Sequence, residues 1–133
     1  AIANGGRQME PFVVNNLTNP LGQDRQVVNP SVRDQAFDVG TANRLKALMI
    51  EAIESPESIQ YTVGIDGFTV GGKTGTGETE GQGDTAVWTG FIDDPAYPYA
   101  VAVVVESSPS TNETAARIGN SLLSRAIGLK YRG

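Results

Sequence analysis

Two stretches of the chain show apolar residues at helical spacing. Residues 41–54 form an amphipathic pattern that predicts an α-helix, with Asp38 or Thr41 suited to cap its start and Ser55-Pro56 to end it. A second helix is predicted over 111–127. Its predicted apolar stripe is Ala115, Ile118, Leu122, Leu123 and Ala126, with Gly119 at a close approach to the sheet.

Short segments outside the predicted helices indicate strands. Two candidates before the first helix, 11–14 and 26–28, surround a polar turn at 15–24. Three more lie between the helices, at 69–76, 85–92 and 99–105. Because short connections join them, we expect an antiparallel sheet with 85–92 in the centre. The 99–105 run is continuously apolar, which predicts a strand buried on both faces.

These elements predict an α+β fold, in which an antiparallel sheet is flanked by helices. The chain has 133 residues, enough for one domain. Near its start, Asn4-Gly5-Gly6 is typical of a helix ending, because the left-handed position after a helix favours Gly or Asn. The alternative interpretation of the same residues is a frayed N-terminal turn.

Composition excludes several kinds of chemistry. The chain has no Cys and no His, so thiol catalysis, thiolate metal sites and an internal Ser-His-Asp triad are excluded. A metal site would need carboxylates alone, and no EF-hand spacing is present, so neither metal nor cofactor is expected. The net charge is −5 without a cluster of Lys and Arg, which argues against a nucleic-acid partner.

The segment with the most chemical information is 71–77, Gly-Gly-Lys-Thr-Gly-Thr-Gly. One interpretation is a phosphate loop, because 67–74 satisfies G-x-x-x-x-G-K-[ST]. That motif requires a helix starting at its lysine. Four glycines follow within ten residues of Lys73, and each would cost a helix about 1 kcal/mol relative to Ala. This interpretation is therefore disfavoured.

The second interpretation places Lys-Thr-Gly on an edge strand. Side chains alternate along a strand, so Thr74 and Thr76 are expected to face one side. Together with the ammonium of Lys73 they could bind a substrate carboxylate, and all three side chains are expected to face a cleft and not a core. Gly75 would let a substrate backbone lie close, and an exposed edge can pair with an extended peptide.

Lys-Thr-Gly-Thr is followed by a glycine-rich loop, by Trp88-Thr89-Gly90-Phe91, by an apolar run and by a terminal helix. This succession resembles the C-terminal part of the transpeptidase domain of class B penicillin-binding proteins, the peptidoglycan D,D-transpeptidases. The resemblance extends over essentially the whole chain, 1–133. It implies the penicillin-binding, β-lactamase-like fold.

The resemblance also implies roles for individual residues. Lys73 would help to organise proton transfer around the serine sites, and the hydroxyls of Thr74 and Thr76 would bind the carboxylate of the stem peptide or of a β-lactam. Gly75 would belong to the same substrate-binding strand. The backbone N–H of Thr76 would form half of an oxyanion hole.

The chain departs from the family in one respect. The family carries its nucleophile in Ser-x-x-Lys and a second serine in Ser-x-Asn, both before Lys-Thr-Gly. None of the eight serines of this chain has Lys three residues later. Ser110-Thr111-Asn112 matches Ser-x-Asn but follows Lys73, and with Glu113 it fits a helix capping box. The resemblance thus implies a fragment without a nucleophile, inactive alone.

As a fragment, the chain would have the N-terminal half of its domain as a partner. The parent's partners would be stem peptides ending in D-Ala-D-Ala and β-lactams. The parent would be extracytoplasmic and anchored to the bacterial cytoplasmic membrane. Two alternatives stay open from sequence: a fragment of a β-lactamase or carboxypeptidase, and a non-catalytic binding domain with the same fold.

Overall fold

The structure, a computed structural model, describes residues 1–58, 63–77, 83–106 and 113–130, without the side chains of 129 and 130. The chain divides into two compact units, Ala1–Asn43 and Arg44–Gly133. Residues 110–112 of the predicted capping box and most of the glycine-rich loop after Gly77 lie outside the described residues.

The first unit consists of two antiparallel strand pairs. Strand β1 (Arg7–Met9) pairs with β4 (Val32–Gln35), and β2 (Asn16–Thr18) pairs with β3 (Asp24–Val27). The strand predicted at 11–14 is wrong, and the one predicted at 26–28 is correct only in part, since β3 ends at Val27. Every residue of these four strands is exposed, so backbone hydrogen bonds define them and no apolar face marks them in the sequence.

The left-handed glycine predicted at Asn4-Gly5-Gly6 is present, after a single short turn. Residues Ile2–Asn4 form a 3-10 turn that ends at Gly5, whose φ of 64° is left-handed. Gly6 also has a positive φ, and its amide donates to the carbonyl of Ala1 at 2.9 Å. A Cβ on Gly6 would collide with the carbonyl oxygen of Phe37, so the tight turn requires glycine there.

Helix α1 (Val39–Glu54) has the predicted cap and end. Asp38 accepts hydrogen bonds from the Thr41 amide at 2.9 Å and from the Thr41 hydroxyl at 2.6 Å, the arrangement of an N-cap carboxylate. The helix ends at Glu54, directly before Ser55-Pro56, because the residue preceding a proline disfavours the helical conformation.

The second unit contains a three-stranded antiparallel sheet. Strands β5 (Val70–Gly77), β6 (Thr85–Ile92) and β7 (Ala100–Val105) lie in the order β5-β6-β7, as predicted. The expectation that 99–105 is buried on both faces is wrong. Strand β7 is an edge strand on which Val103 is buried and Val104 is 60% exposed, so its faces alternate although its residues are all apolar.

Helix α2 (Glu113–Lys130) covers one face of this sheet. The closest approach is at Gly119, as predicted, where a Cβ would lie under 3.0 Å from the ring of Trp88. The predicted apolar stripe is wrong at Ile118 and Leu122, which are 42% and 49% exposed. The buried face of the helix is instead Ala115, Ala116, Gly119, Leu123 and Ile127.

The fold is therefore α+β, with antiparallel sheets and two helices, and this part of the prediction is confirmed. The core of the second unit is built around Trp88, which is fully buried between the sheet and α2. An ion pair of 2.9 Å joins Lys46 of α1 to Asp93, the residue after β6. No helix in the described ranges is long and apolar enough to cross a membrane.

Candidate functional site

The segment Lys73-Thr74-Gly75-Thr76 lies in the second half of β5, at one edge of the three-stranded sheet. Its inner edge pairs with β6 through an unbroken antiparallel register. Within the described part of the chain, no strand pairs with its outer edge. An unpaired strand edge presents backbone N–H and C=O groups that an extended peptide can bind.

The cross-strand register assigns each side chain of the segment to a face of the sheet. Thr74 lies opposite Trp88 and Thr76 opposite Ala86, whereas Lys73 lies opposite Thr89. Directly opposed residues of an antiparallel pair project to the same face, so the two threonines share a face, as predicted. That face is the one covered by α2, since Trp88 contacts the helix at Gly119.

The two threonines differ in exposure. Thr74 is 8% exposed and is the one polar residue in the described ranges that is classed as buried. Thr76 lies two residues closer to the end of the sheet and is exposed. The expectation that all three side chains face one cleft is therefore wrong. Thr74 is buried beside Trp88 on the face that α2 covers, and Lys73 starts from the face opposite to both threonines.

Lys73 is exposed and bends towards its own strand. Its Nζ donates a hydrogen bond to the carbonyl oxygen of Thr74 at 2.7 Å. The ammonium therefore lies beside the peptide group that joins Thr74 to Gly75. Although the side chain of Lys73 starts from the opposite face to the threonines, its charge is held at the strand backbone. A carboxylate bound at this backbone would lie close to a positive charge.

The glycines of β5 differ in what surrounds them. A Cβ on Gly71 or Gly72 would lie under 3.0 Å from an aromatic ring of β6. At Gly75 the nearest atom to an added Cβ is the Cβ of Val87 at 3.9 Å, an ordinary van der Waals contact, and the φ of Gly75 is not positive. The packing of the chain thus requires glycine at 71 and 72 but leaves room for a side chain at 75.

The phosphate-loop interpretation is excluded by the position of Lys73. A phosphate loop needs its lysine at the start of a helix, where backbone amides can surround the phosphate. Lys73 is instead the fourth residue of an eight-residue strand that pairs with β6 along its full length.

Sequence reasoning missed the packing of Trp88 and Phe91 on the two glycines before Lys73. The strand pattern of 85–92 assigns no role to either ring. The available signal is the coincidence of Gly71 and Gly72 on one strand with two large rings and Gly90 on the next, since a missing side chain in a sheet marks a close approach.

Comparison with known proteins gives the following matches. The family model of the penicillin binding protein transpeptidase domain matches residues 1–124. No curated protein sequence matches the chain.

Several solved structures are similar. Penicillin-binding protein A from M. tuberculosis, as an imipenem acyl-enzyme complex, has 30% identity and a TM-score of 0.81, over 95% of this chain and 28% of that chain. The D,D-transpeptidase domain of a peptidoglycan glycosyltransferase from Eggerthella lenta has 26% identity and a TM-score of 0.78, over 96% of this chain and 30% of that chain.

A more distant match is the transpeptidase domain of penicillin-binding protein 3 from Burkholderia pseudomallei. It has 24% identity and a TM-score of 0.63, over 98% of this chain and 38% of that chain. At this identity the match shows a common fold alone. The chain thus spans between 28% and 38% of the length of these three solved chains.

Proposed function

Since the chain belongs to the penicillin-binding protein transpeptidase domain family, we propose that it supplies the substrate-binding strand of a serine D,D-transpeptidase. In this proposal the full-length protein cross-links peptidoglycan stem peptides by acyl transfer and is acylated by β-lactams. The observation that supports it is the position of Lys73-Thr74-Gly75-Thr76 on the edge strand β5, with the Lys73 ammonium beside the strand backbone.

The substrate of the proposed reaction is a peptide with a free carboxylate. An exposed hydroxyl at Thr76 and the positive charge of Lys73 can both bind that carboxylate, and charge-assisted hydrogen bonds are about twice as strong as neutral ones. Thr74 would add its hydroxyl from the more buried position beside them. A β-lactam carries a carboxylate in a comparable place and would use the same groups.

Acyl transfer builds negative charge on the carbonyl oxygen of the substrate. A donor aimed at that oxygen stabilises the transition state more than the ground state. We assign this function to the backbone N–H of Thr76, near the end of β5. The family resemblance further implies that Lys73, the one charged residue of β5, influences proton transfer at the serine nucleophile.

The surroundings of Gly75 support the approach of a substrate backbone. The chain leaves enough space for a side chain at this position, so internal packing does not explain the glycine. A peptide that binds along the outer edge of β5 would come within hydrogen-bonding distance of the strand. A side chain at 75 could then obstruct it.

The rest of the proposal concerns the full-length protein. The nucleophile would come from a Ser-x-x-Lys segment of the same domain, and residues 1–133 would be the C-terminal portion of that domain. Because its substrate is part of the cell wall, the full-length protein would act outside the bacterial cytoplasmic membrane and be anchored to it.

The test compares Lys73→Ala with the unchanged full-length protein. The measurement is the second-order rate constant for acylation by a fluorescent penicillin, together with the melting temperature. We expect slower acylation without a loss of folding, because Lys73 is exposed. Acylation at the unchanged rate would contradict the assignment of β5 as the substrate-binding strand. An absence of acylation in the unchanged protein would favour a non-catalytic binding domain.

A further inference from the structure

Two aromatic rings of β6 contact the two glycines that precede Lys73, one ring on each face of the sheet. A Cβ on Gly72 would lie 2.6 Å from Cζ2 of Trp88, and a Cβ on Gly71 would lie under 3.0 Å from three ring atoms of Phe91. Adjacent residues of a strand project to opposite faces. The Gly71-Gly72 segment is therefore enclosed between an indole and a phenyl ring.

Both rings are themselves fixed in place. Trp88 is fully buried and Phe91 is 3% exposed. The indole also fills the space where Gly90 of β6 and Gly119 of α2 would otherwise carry a side chain. Movement of the indole would therefore require β6, α2 and β5 to move together, because close-packed interiors allow few alternative positions.

Strand β5 has few other means of fixing its position. It is an edge strand that pairs on one side only among the described strands, and four of its eight residues are glycine. Glycine-rich strands specify their register weakly, and a slip by one residue would move both Thr74 and Thr76 to the opposite face of the sheet. A ring on each face of the Gly-Gly segment resists such a slip, because an ordinary side chain does not fit where these glycines lie.

We infer that Trp88 and Phe91 are positioning residues, which hold Gly71-Gly72 between them and thereby fix where β5 presents Lys73 and Thr76. This inference rests on the proposed function, because the position of β5 affects acylation only if the strand contacts the substrate. Neither ring touches the substrate, and each acts through the backbone of β5.

The test uses the full-length protein with Trp88→Phe and Phe91→Leu, each of which makes one ring position smaller. Leu123→Ala is the control, since Leu123 is buried on α2 but the atoms nearest to an added Cβ at either glycine belong to Phe91 and Trp88. Acylation by a fluorescent penicillin is measured over a range of concentrations, at a temperature where all variants are folded. This separates the dissociation constant of the first complex from the acylation rate constant.

We expect each ring variant to lower the acylation rate constant by about 10- to 100-fold, because small displacements of catalytic groups have effects of this size. The control should stay within about twofold of the unchanged protein, because Leu123 belongs to the same buried cluster as Trp88 but is not among the atoms nearest to either glycine. Ring variants that stay within the range of the control would overturn the inference. If Trp88→Phe does not fold, Phe91→Leu provides the same comparison on the other face.

A double variant tests whether ring and glycine act through each other. Gly72→Ala should slow acylation, and adding Trp88→Phe should restore part of the rate because the smaller ring makes room for the added Cβ. Purely additive effects would overturn the inference. Lys73→Ala serves as the reference for the proposed function. If Lys73→Ala slows acylation and the ring variants do not, only the inference fails, whereas an unchanged rate in Lys73→Ala overturns the proposed function itself.

Discussion

Trp88 lies directly across the β5–β6 pair from Thr74, and both side chains are buried on the face of the sheet that α2 covers. The threonine is therefore held within the packed part of the sheet, whereas Thr76, two residues further along β5, is exposed. The two hydroxyls proposed to bind one carboxylate therefore differ in how closely the protein packs around them. Substitutions at the two positions should have different consequences for stability.

Replacing Thr76 by valine should weaken substrate recognition without unfolding the protein. The substitution removes a hydroxyl but keeps the backbone N–H, and valine is favourable in a strand. Loss of a hydrogen bond to a charged group costs about 1.5–3 kcal/mol, which corresponds to acylation roughly 10- to 150-fold slower. Thr74→Val should slow acylation too, but it should also change the melting temperature because Thr74 is buried.

The control for both threonine variants is Thr85→Val on β6. Thr85 lies opposite Gly77, on the other face of the sheet from Thr74 and Thr76. The Thr85→Val variant should therefore be acylated at the same rate as the unchanged protein. An unchanged acylation rate in Thr76→Val would show that this hydroxyl does not contribute to carboxylate binding.

Adding one methyl group at Gly119 should destabilise the second unit. A Cβ there would overlap the buried ring of Trp88, and overpacking of a core costs about 1–3 kcal/mol. Gly128→Ala is the matched control on the same helix, because nothing lies within 4 Å of its added Cβ. That control should be neutral or stabilise the helix by up to about 1 kcal/mol. Chemical denaturation measures both, and equal effects would contradict the close contact between α2 and Trp88.

Leu122 and Leu123 of α2 should respond very differently to truncation. Leu123 is 2% exposed and Leu122 is 49% exposed. Leu123→Ala should therefore cost about 2–5 kcal/mol, the usual range for a buried leucine, whereas Leu122→Ala should cost much less. Denaturation of the 133-residue chain measures the difference. A larger loss at Leu122 would show that the other face of the helix packs on the sheet.

The sheet of the second unit could be predicted from sequence because its signals were local. Runs rich in apolar and β-branched residues predicted β6 and β7, the Lys-Thr-Gly-Thr segment was interpreted as an edge strand, and short connections predicted the antiparallel order. The face of α2 could not be chosen by spacing alone. A stripe through Ile118 and Leu122 and one through Gly119 and Leu123 both recur at three or four residues, and the contact with Trp88, a tertiary feature, decides between them.

The first unit was the least predictable part. Phe12-Val13-Val14 has the β-branched composition of a strand, yet Val13 is fully exposed and no strand forms there. The strands that do form include Arg7–Met9 and Val32–Gln35, which lack an alternating apolar face. Their pairing depends on backbone hydrogen bonds between segments distant in sequence, and side-chain patterns carry no information about these.

At the candidate site, the sequence predicted the strand and the common face of the two threonines. The common face follows because successive side chains of a strand point to opposite faces, so residues 74 and 76 point to the same one. It did not predict that Thr74 is buried. The burial of Thr74 depends on Trp88 and on the contact of Trp88 with Gly119 of α2, which is 45 residues after Thr74 in the sequence. The assignment of Lys73, Thr74, Gly75 and Thr76 to substrate binding stays a prediction for the acylation experiments.

The cap of α1 should make part of the stability depend on acid pH. The hydrogen bond from the Thr41 hydroxyl, with the one from the Thr41 amide, lowers the pKa of Asp38 below its ordinary value of 3.8. A carboxyl with a lowered pKa in the folded state stabilises the protein above its unfolded-state pKa, and this contribution is lost as the pH falls through the folded-state value.

The comparison that isolates this effect is Asp38→Asn. Asparagine also caps helices well but does not titrate. As the pH falls from the ordinary aspartate pKa of 3.8 through the lowered pKa of Asp38, the unchanged protein should lose more stability than the variant does. Denaturation curves at a series of pH values measure this. Parallel pH profiles for the two proteins would show that Asp38 does not contribute to the acid sensitivity.

The last prediction is that the isolated 133-residue chain forms no covalent adduct with penicillin. Acylation needs an activated nucleophile next to the oxyanion donors, and a serine becomes nucleophilic only beside a base. None of the eight serines has Lys three residues later, although the chain carries Lys73 and the Thr76 amide. Intact-mass spectrometry after incubation with the drug measures adduct formation. The full-length protein, treated identically, is the positive control and should gain the mass of one opened β-lactam. An adduct on a serine of the isolated chain would contradict the proposal, because the nucleophile would then lie within these residues and β5 would be serving a complete site.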